Sequence, residues 1–229
     1  MFFIKKKENN FQDKFKKVTY SQCGEDMILY HIFESLGVKT PSYIDVGAHH
    51  PFHMSNTALF HSMGSTGINI EPDPVLFKEF PKYRKSDINL NIGIGNTPDL
   101  IDFYRISAPT LNTFSKEEAE KYINEGDYKI IEVIKVKVET FHSILAEFVT
   151  QKKPTFLTID AEGVDELIID SIDFDKFFPE VICIETISFS TSGKGIKNYD
   201  LIKKIELKGY LNYADTNINT IFVRSDIWG

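Results

Sequence analysis

Apolar residues along the chain switch repeatedly between a period near two and a period near 3.6, the mark of alternating strands and helices. Met27, Ile28, His31 and Ile32 share one face of a helix predicted from Gly24 to about Ser35, with Gly37 just past its end. A short strand is predicted at Tyr43–Val46, then a helix over Ser55–Met63 that turns Leu59, Phe60 and Met63 inward and stops at Gly64. Gly67–Glu71 reads as a second buried strand. Asp73-Pro74 offers an N-cap and a first-turn proline to a helix whose stripe of Leu76, Phe77 and Phe80 ends where Pro81 breaks it. Ile88–Ile94 reads as a third strand, and Asn96, Thr97 and Pro98 as a turn into Leu100–Ile106, so a hairpin is expected there.

Further on, the Lys129–Val138 segment alternates as a half-exposed strand, while Phe156–Ile159 and Val181–Ile184 are apolar enough for the centre of a sheet. A helix at roughly Val164–Ser171 separates those two. The tail reads as a helix over Tyr199–Leu207 stopped by Gly209, then strands around Leu211 and Ile221–Val223 joined through Asp215-Thr216-Asn217. Ala108–Asp127 has no strong period and is expected as an inserted loop with a short helix that covers a site. The expected fold is α/β and Rossmann-like: a mostly parallel central sheet, an antiparallel C-terminal hairpin and helices on both faces. One domain over 20–229 is expected behind a basic arm, 1–19.

Composition narrows this picture. With 42% hydrophobic and 26% charged residues the 229-residue chain has ample material for a core. Nothing approaches the run of about 18 apolar residues that spans a membrane. Phe2, Phe3 and Ile4 before three lysines do not make the apolar region of a signal peptide, so a cytoplasmic location is expected. Cys23 and Cys183 have no CxxC or Cys/His spacing, which speaks against a disulfide scaffold and a structural zinc. The net charge of −7 is uneven: six Lys before position 18 make that arm basic, and the acidic remainder disfavours nucleic-acid binding.

In a parallel sheet, ligands bind beyond the carboxyl ends of the strands. Those ends carry Asp45-Val46-Gly47-Ala48, Glu71-Pro72, Asn91, Asp160-Ala161-Glu162-Gly163 and Glu185-Thr186. An acid followed by a Gly turn, with a second acid at the end of the next strand, suits an adenosine cofactor: the glycine admits close backbone approach and the second carboxylate holds two ribose hydroxyls. The GxGxxG turn that cradles a pyrophosphate is missing, so a cofactor without phosphates is favoured over a nicotinamide dinucleotide.

Five blocks carry a resemblance. They are Tyr20-Ser21-Gln22-Cys23-Gly24-Glu25-Asp26, Tyr43-Ile44-Asp45-Val46-Gly47-Ala48-His49-His50-Pro51, Ser55-Asn56-Thr57, Gly67-Ile68-Asn69-Ile70-Glu71-Pro72 and Ile159-Asp160-Ala161-Glu162-Gly163. In order and spacing the chain resembles the FkbM-type S-adenosylmethionine-dependent methyltransferases. The family often has Asn at His49, and a Val or Leu with Lys where this chain has Leu157-Thr158; His50 matches a common family histidine.

The resemblance implies a class I methyltransferase fold and S-adenosylmethionine as cofactor. Asp45, Gly47 and Ala48 would shape its methionine end, Glu71 with Pro72 the ribose site, and Asn91 or Ile92 the adenine border, with Gln22 and Glu25 closing the pocket. It further implies transfer to a hydroxyl of a small-molecule acceptor, a sugar that is nucleotide-linked or part of a surface glycan. Asp160 leads as base or substrate clamp, followed by Glu162, His50 and His53. The competing reading makes Asp160 and Glu162 caps of the following helix.

His50 and His53, three apart, would share a helix face, but Pro51 interrupts them and no HExxH pattern is present, so no metal site is predicted. Were a divalent ion used, Asp160 and Glu185 would be its oxygen ligands. Lys78, Lys82, Arg84 and Lys85, like Lys194 and Lys197, read as solvated faces or as phosphate contacts, and Gly193–Gly195 falls where a lid would lie. Two rival functions remain open: a metal-assisted hydrolase built from His49, His50, His53 and Asp160, and a non-catalytic adenosine-cofactor binder.

Overall fold

The computed structural model describes residues 14–149, 154–190 and 194–229; most of the basic arm and Gly193 of the expected lid therefore lie outside the described residues. The strands are β1 (Tyr43–Val46), β2 (Gly67–Ile70), β3 (Ile88–Leu90), β4 (Gly93–Gly95), β5 (Asp99–Ile106), β6 (Ile130–Thr140), β7 (Phe156–Ile159), β8 (Val181–Glu185), β9 (Tyr210–Asp215) and β10 (Asn219–Arg224). The helices are α1 (Glu25–Ser35), α2 (Ala58–Ser62), α3 (Pro74–Phe77), α4 (Phe80–Tyr83), α5 (Lys116–Glu125), α6 (Phe141–Phe148), α7 (Asp165–Ser171), α8 (Tyr199–Leu207) and α9 (Ser225–Trp228).

Seven strands make the main sheet, in the order β3-β2-β1-β7-β8-β10-β9. The first five run parallel, and β10 pairs antiparallel with both β8 and β9. This is the α/β architecture expected: a mostly parallel sheet closed by an antiparallel C-terminal hairpin. The central strands β1 and β7 are buried along their whole length, as strands covered on both faces must be. Ile44, Val46, Ile70, Leu157, Ile159, Ile182 and Ile184 feed the core on one face, against α6, α7 and α8. On the other, Tyr43, Phe156, Cys183 and Ile221 meet Leu29, Ile32 and Phe33 of α1 and Phe60 of α2.

The strand order reverses between β1 and β7. The first winds outward to β2 and β3, the second toward β8, so the loops after β1 and β7 part and leave a crevice at their carboxyl ends.

Three expectations need correction. Ile88–Ile94 is two strands: β3 ends at Leu90, and β4 leaves the main sheet to join β5 and β6 in a separate three-stranded sheet, order β4-β6-β5, where β4 and β5 both flank β6 and the expected hairpin with Leu100–Ile106 does not form. Asn91 stands at the break, where its amide donates to the carbonyls of Glu71 and Pro72. Pro81 does not end a helix; it sits in the first turn of α4, where a missing N–H costs nothing. Arg84 is neither solvated nor free to meet a phosphate. It is fully buried, donating to the Pro51 carbonyl and the hydroxyls of Tyr43, Ser55 and Thr57, 3.5 Å from Asp87.

Candidate active site

A cavity of about 310 Å³ opens at the reversal point. One wall is the turn after β1. Gly47 has φ 77, a left-handed conformation that L side chains rarely adopt, and a Cβ there would collide with the backbone carbonyl of Asp160. The missing side chain therefore lets the turns after β1 and β7 meet backbone to backbone at the cavity's edge. Asp45, just before it, is buried and accepts a hydrogen bond from the Thr57 hydroxyl at 2.7 Å; burial pushes its carboxyl up to about 6.

Glu71 follows β2 and is 4% exposed. Its two oxygens accept the backbone N–H groups of His49 at 2.8 Å and Asp73 at 2.7 Å, which fix the carboxylate at the cavity wall. Burial pushes it up to about 8 against the pull of these two donors. Asp73 caps α3 through the Val75 N–H and also accepts from Arg105 and Asn112, tying the small sheet and the insert to this wall. Leu76, Ile92, Ile94, Phe103 and Phe114 supply an apolar side.

Opposite, Asp160 and Glu162 follow β7 and Glu185 ends β8; one carboxylate oxygen from each lies within 4.8 Å of the others. Among the described residues this is the group of acids or histidines close enough to share a cation. Burial first, and then repulsion from neighbouring acids, pushes all three up: Asp160 to about 7, beside Asp165, Asp45 and Glu25, and Glu162 and Glu185 both beside Asp160 and Asp165. Neither Asp160 nor Glu162 caps α7: its N-cap, Val164, has no side-chain bond, and Asp165 reaches back to the N–H groups of Ala161 and Gly163 instead. Glu162 has φ 47 and is held by two groups of the insert: the Thr113 hydroxyl donates to its carbonyl at 2.6 Å, and the Tyr122 hydroxyl to its carboxylate at 3.1 Å.

Of the residues expected from sequence, Gln22, Asp45, Gly47, Ala48, Glu71, Pro72, Asp160 and Glu162 border the cavity, and Glu25, Asn91, His50 and His53 do not. Glu25 is buried against Thr216 and Asn219 and joins α1 to the β9–β10 hairpin. Residues 49–53 form turns rather than a helix, and His50 Nδ1 accepts the N–H groups of Phe52 and His53. His49 lines the cavity, but the histidines form no ligand set with Asp160 among the described residues, so the hydrolase centre is not assembled.

Sequence reasoning gave Asp26 and Asn56, present in the quoted blocks, no role at the site, and missed Thr113 and Tyr122. Asp26 gathers Thr19, Tyr20 and Ser21 into the fold that presents Gln22. Asn56 donates to Thr158 on β7. The Ala119/Tyr122 spacing on a short amphipathic helix was the readable signal for the inward face of α5.

Among known proteins, no curated sequence matches. A solved structure similar to this one is a TehB-like SAM-dependent methyltransferase from Corynebacterium glutamicum, 9% identical over 93% of this chain and 91% of that one, with a TM-score of 0.44. The family described as the Methyltransferase FkbM domain matches residues 45–211, a span that runs from the Asp45 wall through Glu71, Asp160 and Glu185 into β9. The chain therefore belongs to the FkbM methyltransferase family.

Proposed function

We propose that this protein binds S-adenosylmethionine in the 310 Å³ cavity and methylates a hydroxyl oxygen of a sugar, nucleotide-linked or within a surface glycan, in the cytoplasm. The observation that carries the cofactor reading is Glu71: a buried carboxylate one strand from a left-handed glycine turn, both oxygens oriented by main chain, each with a lone pair left for a ribose hydroxyl. The residues present fit the group. Gly47 lets the turns after β1 and β7 pack together at the cavity's edge, the apolar side suits a flat adenine, and the absence of a Gly-rich phosphate turn agrees with a ligand lacking phosphates. Among the described residues no helix is long and apolar enough to cross a membrane.

The chemistry supplied by bound S-adenosylmethionine is an electrophilic methyl carbon whose C–S bond breaks with its electron pair going to sulfur. The protein's share is positioning and a proton sink. Glu71 and the turn at Gly47 fix the cofactor's two ends. Asp160, at the end of the strand facing that turn, takes the proton of the acceptor hydroxyl as its oxygen bonds to the methyl carbon. A carboxylate held near neutrality by its surroundings is matched to that task.

The test is calorimetric titration with S-adenosylmethionine and S-adenosylhomocysteine, with NAD as control, followed by radiolabelled methyl transfer to sugar acceptors. Micromolar binding of both adenosyl ligands and none of NAD is expected, with Asp160→Asn lowering turnover at least about 100-fold while cofactor affinity changes less than about threefold. No binding of either adenosyl ligand refutes the cofactor site, and equal losses in turnover and affinity refute the role of Asp160.

A further inference from the structure

A second cavity, of about 240 Å³, adjoins the first and shares Glu162, Glu185, Ile187, Ser188 and Phe189 with it. Its outer wall is the insert helix α5. The aromatic element is fixed: Phe189 meets the Tyr122 ring edge-on at 4.6 Å between centroids, and Tyr128 backs it at 5.9 Å. Among the described residues lining either cavity there is no Lys or Arg. Three acids of the second cavity already have partners, Glu166 in Lys204 at 2.6 Å, Glu118 in Lys121 at 3.6 Å and Asp165 in main-chain N–H groups. Glu162 and Glu185, shared with the first cavity, pair with no Lys or Arg among the described residues.

We infer that the acceptor carries a protonated amine beside the hydroxyl that is methylated, and that Glu162 and Glu185 hold this ammonium at the rings of Tyr122 and Phe189, where the two cavities meet. The inference rests on the methyltransferase reading above and adds the acceptor's class: an amino sugar or similar amino alcohol. Three crowded carboxylates in a cavity repel one another, and a cation among them relieves that repulsion in a medium far less screening than water. The aromatic wall decides which cation. Ring faces attract organic ammonium groups, whereas Mg²⁺ or Ca²⁺ takes six or more oxygens, of which an aromatic wall offers none. An anionic sugar is repelled from the same place, so any phosphate on the acceptor stays outside both cavities. Protonation also settles the methylated atom: the amine's lone pair holds a proton, and the hydroxyl oxygen is the nucleophile left.

The experiment uses the full chain saturated with S-adenosylhomocysteine, its binding measured separately, and compares glucosamine, glucose and glucuronate by ligand-observed NMR competition, with Mn²⁺ in a parallel titration. Glucosamine should bind at least about tenfold more tightly than glucose, with glucuronate weakest. Glu185→Gln, and independently Glu162→Gln, should reduce the amine preference below about threefold with thermal unfolding and S-adenosylhomocysteine affinity retained. Equal binding of amine and neutral sugar, or no detectable glucosamine binding at about 10 mM, overturns the inference. So does micromolar Mn²⁺ binding abolished by Glu185→Gln, which would make the acids a metal site. An amine preference in a protein that fails to bind S-adenosylhomocysteine would sink the cofactor reading and leave this recognition standing.

Discussion

Glu71→Gln isolates the grip on the ribose. Both carboxylate oxygens lie at hydrogen-bond distance from backbone N–H groups, 2.8 Å from His49 and 2.7 Å from Asp73. An amide supplies one acceptor, so its NH₂ must face the second N–H and cannot take a ribose hydroxyl as acceptor. Losing charge-assisted bonds to the ligand costs about 1.5–3 kcal/mol, a Kd roughly 10- to 150-fold weaker. The variant also separates charge from shape through pH. Hydroxyl donors bind the ionised carboxylate, which in the free protein titrates at about 8. The wild-type Kd should therefore fall as pH rises toward that value, by up to about tenfold per unit, and level off above it. Calorimetry with S-adenosylhomocysteine in two buffers of different ionisation enthalpy counts the protons released. At neutral pH the wild type should release close to one more proton than Glu71→Gln, whose affinity should lack this pH-dependent component. A Kd within about twofold of wild type, or equal proton release by the two proteins, would refute the reasoning.

Gly47→Ala should all but abolish cofactor binding and lower the melting temperature, because the added methyl enters the Asp160 carbonyl and the backbone at φ 77 disfavours a side chain; an unchanged affinity by calorimetry would show that the turn does not meet the ligand. The ligand-free protein should lose stability as pH rises from about 4 to about 8 and level off above that. Asp45, Asp160 and Glu71 all have folded pKa values raised above their unfolded ones, so their contribution is complete below the unfolded values and is lost as pH passes through about 6, 7 and 8. Asp45 alone, moved from 3.8 to about 6, corresponds to roughly 3 kcal/mol. Scanning fluorimetry at fixed ionic strength should show a melting temperature falling by several degrees, and a flat or rising profile would contradict the assigned shifts.

The main sheet was legible because its central strands β1, β2, β7 and β8 are buried almost throughout and read as short apolar runs, with Asp45, Glu71, Asp160 and Glu185 at or just past their ends lining the cavity. The small sheet was not. The parallel pairing of β4 with β6 joins Gly93 to Val138 across a segment without strong period, and the break at Asn91 and Ile92 leaves the alternation of Ile88–Ile94 intact. Arg84 defeated local reading for a related reason: its partners Tyr43, Pro51, Ser55, Thr57 and Asp87 come from separate segments, and only their convergence makes an interior cation tolerable. At the site, strand-end acids could be read from position alone. The anchoring of Glu162 by Thr113 and Tyr122 could not, since it links residues 49 and 40 positions apart. His50 and His53 drew attention by residue type, yet the turn they occupy uses His50 as a local hydrogen-bond acceptor.

Division of labour along the chain has an evolutionary consequence. The groups assigned to the cofactor stand at the ends of β1 and β2 and the base at the end of β7, whereas the outer wall of the second cavity comes from α5 and from the stretch after β8. Substitutions, and even changes of length, between β5 and β6 can therefore remodel what is recognised without disturbing a single ladder of the main sheet. One catalytic frame can thus diversify across many acceptors by exchanging a cassette, and chimeras that graft this segment between relatives would transplant preference while the transferred group stays the same.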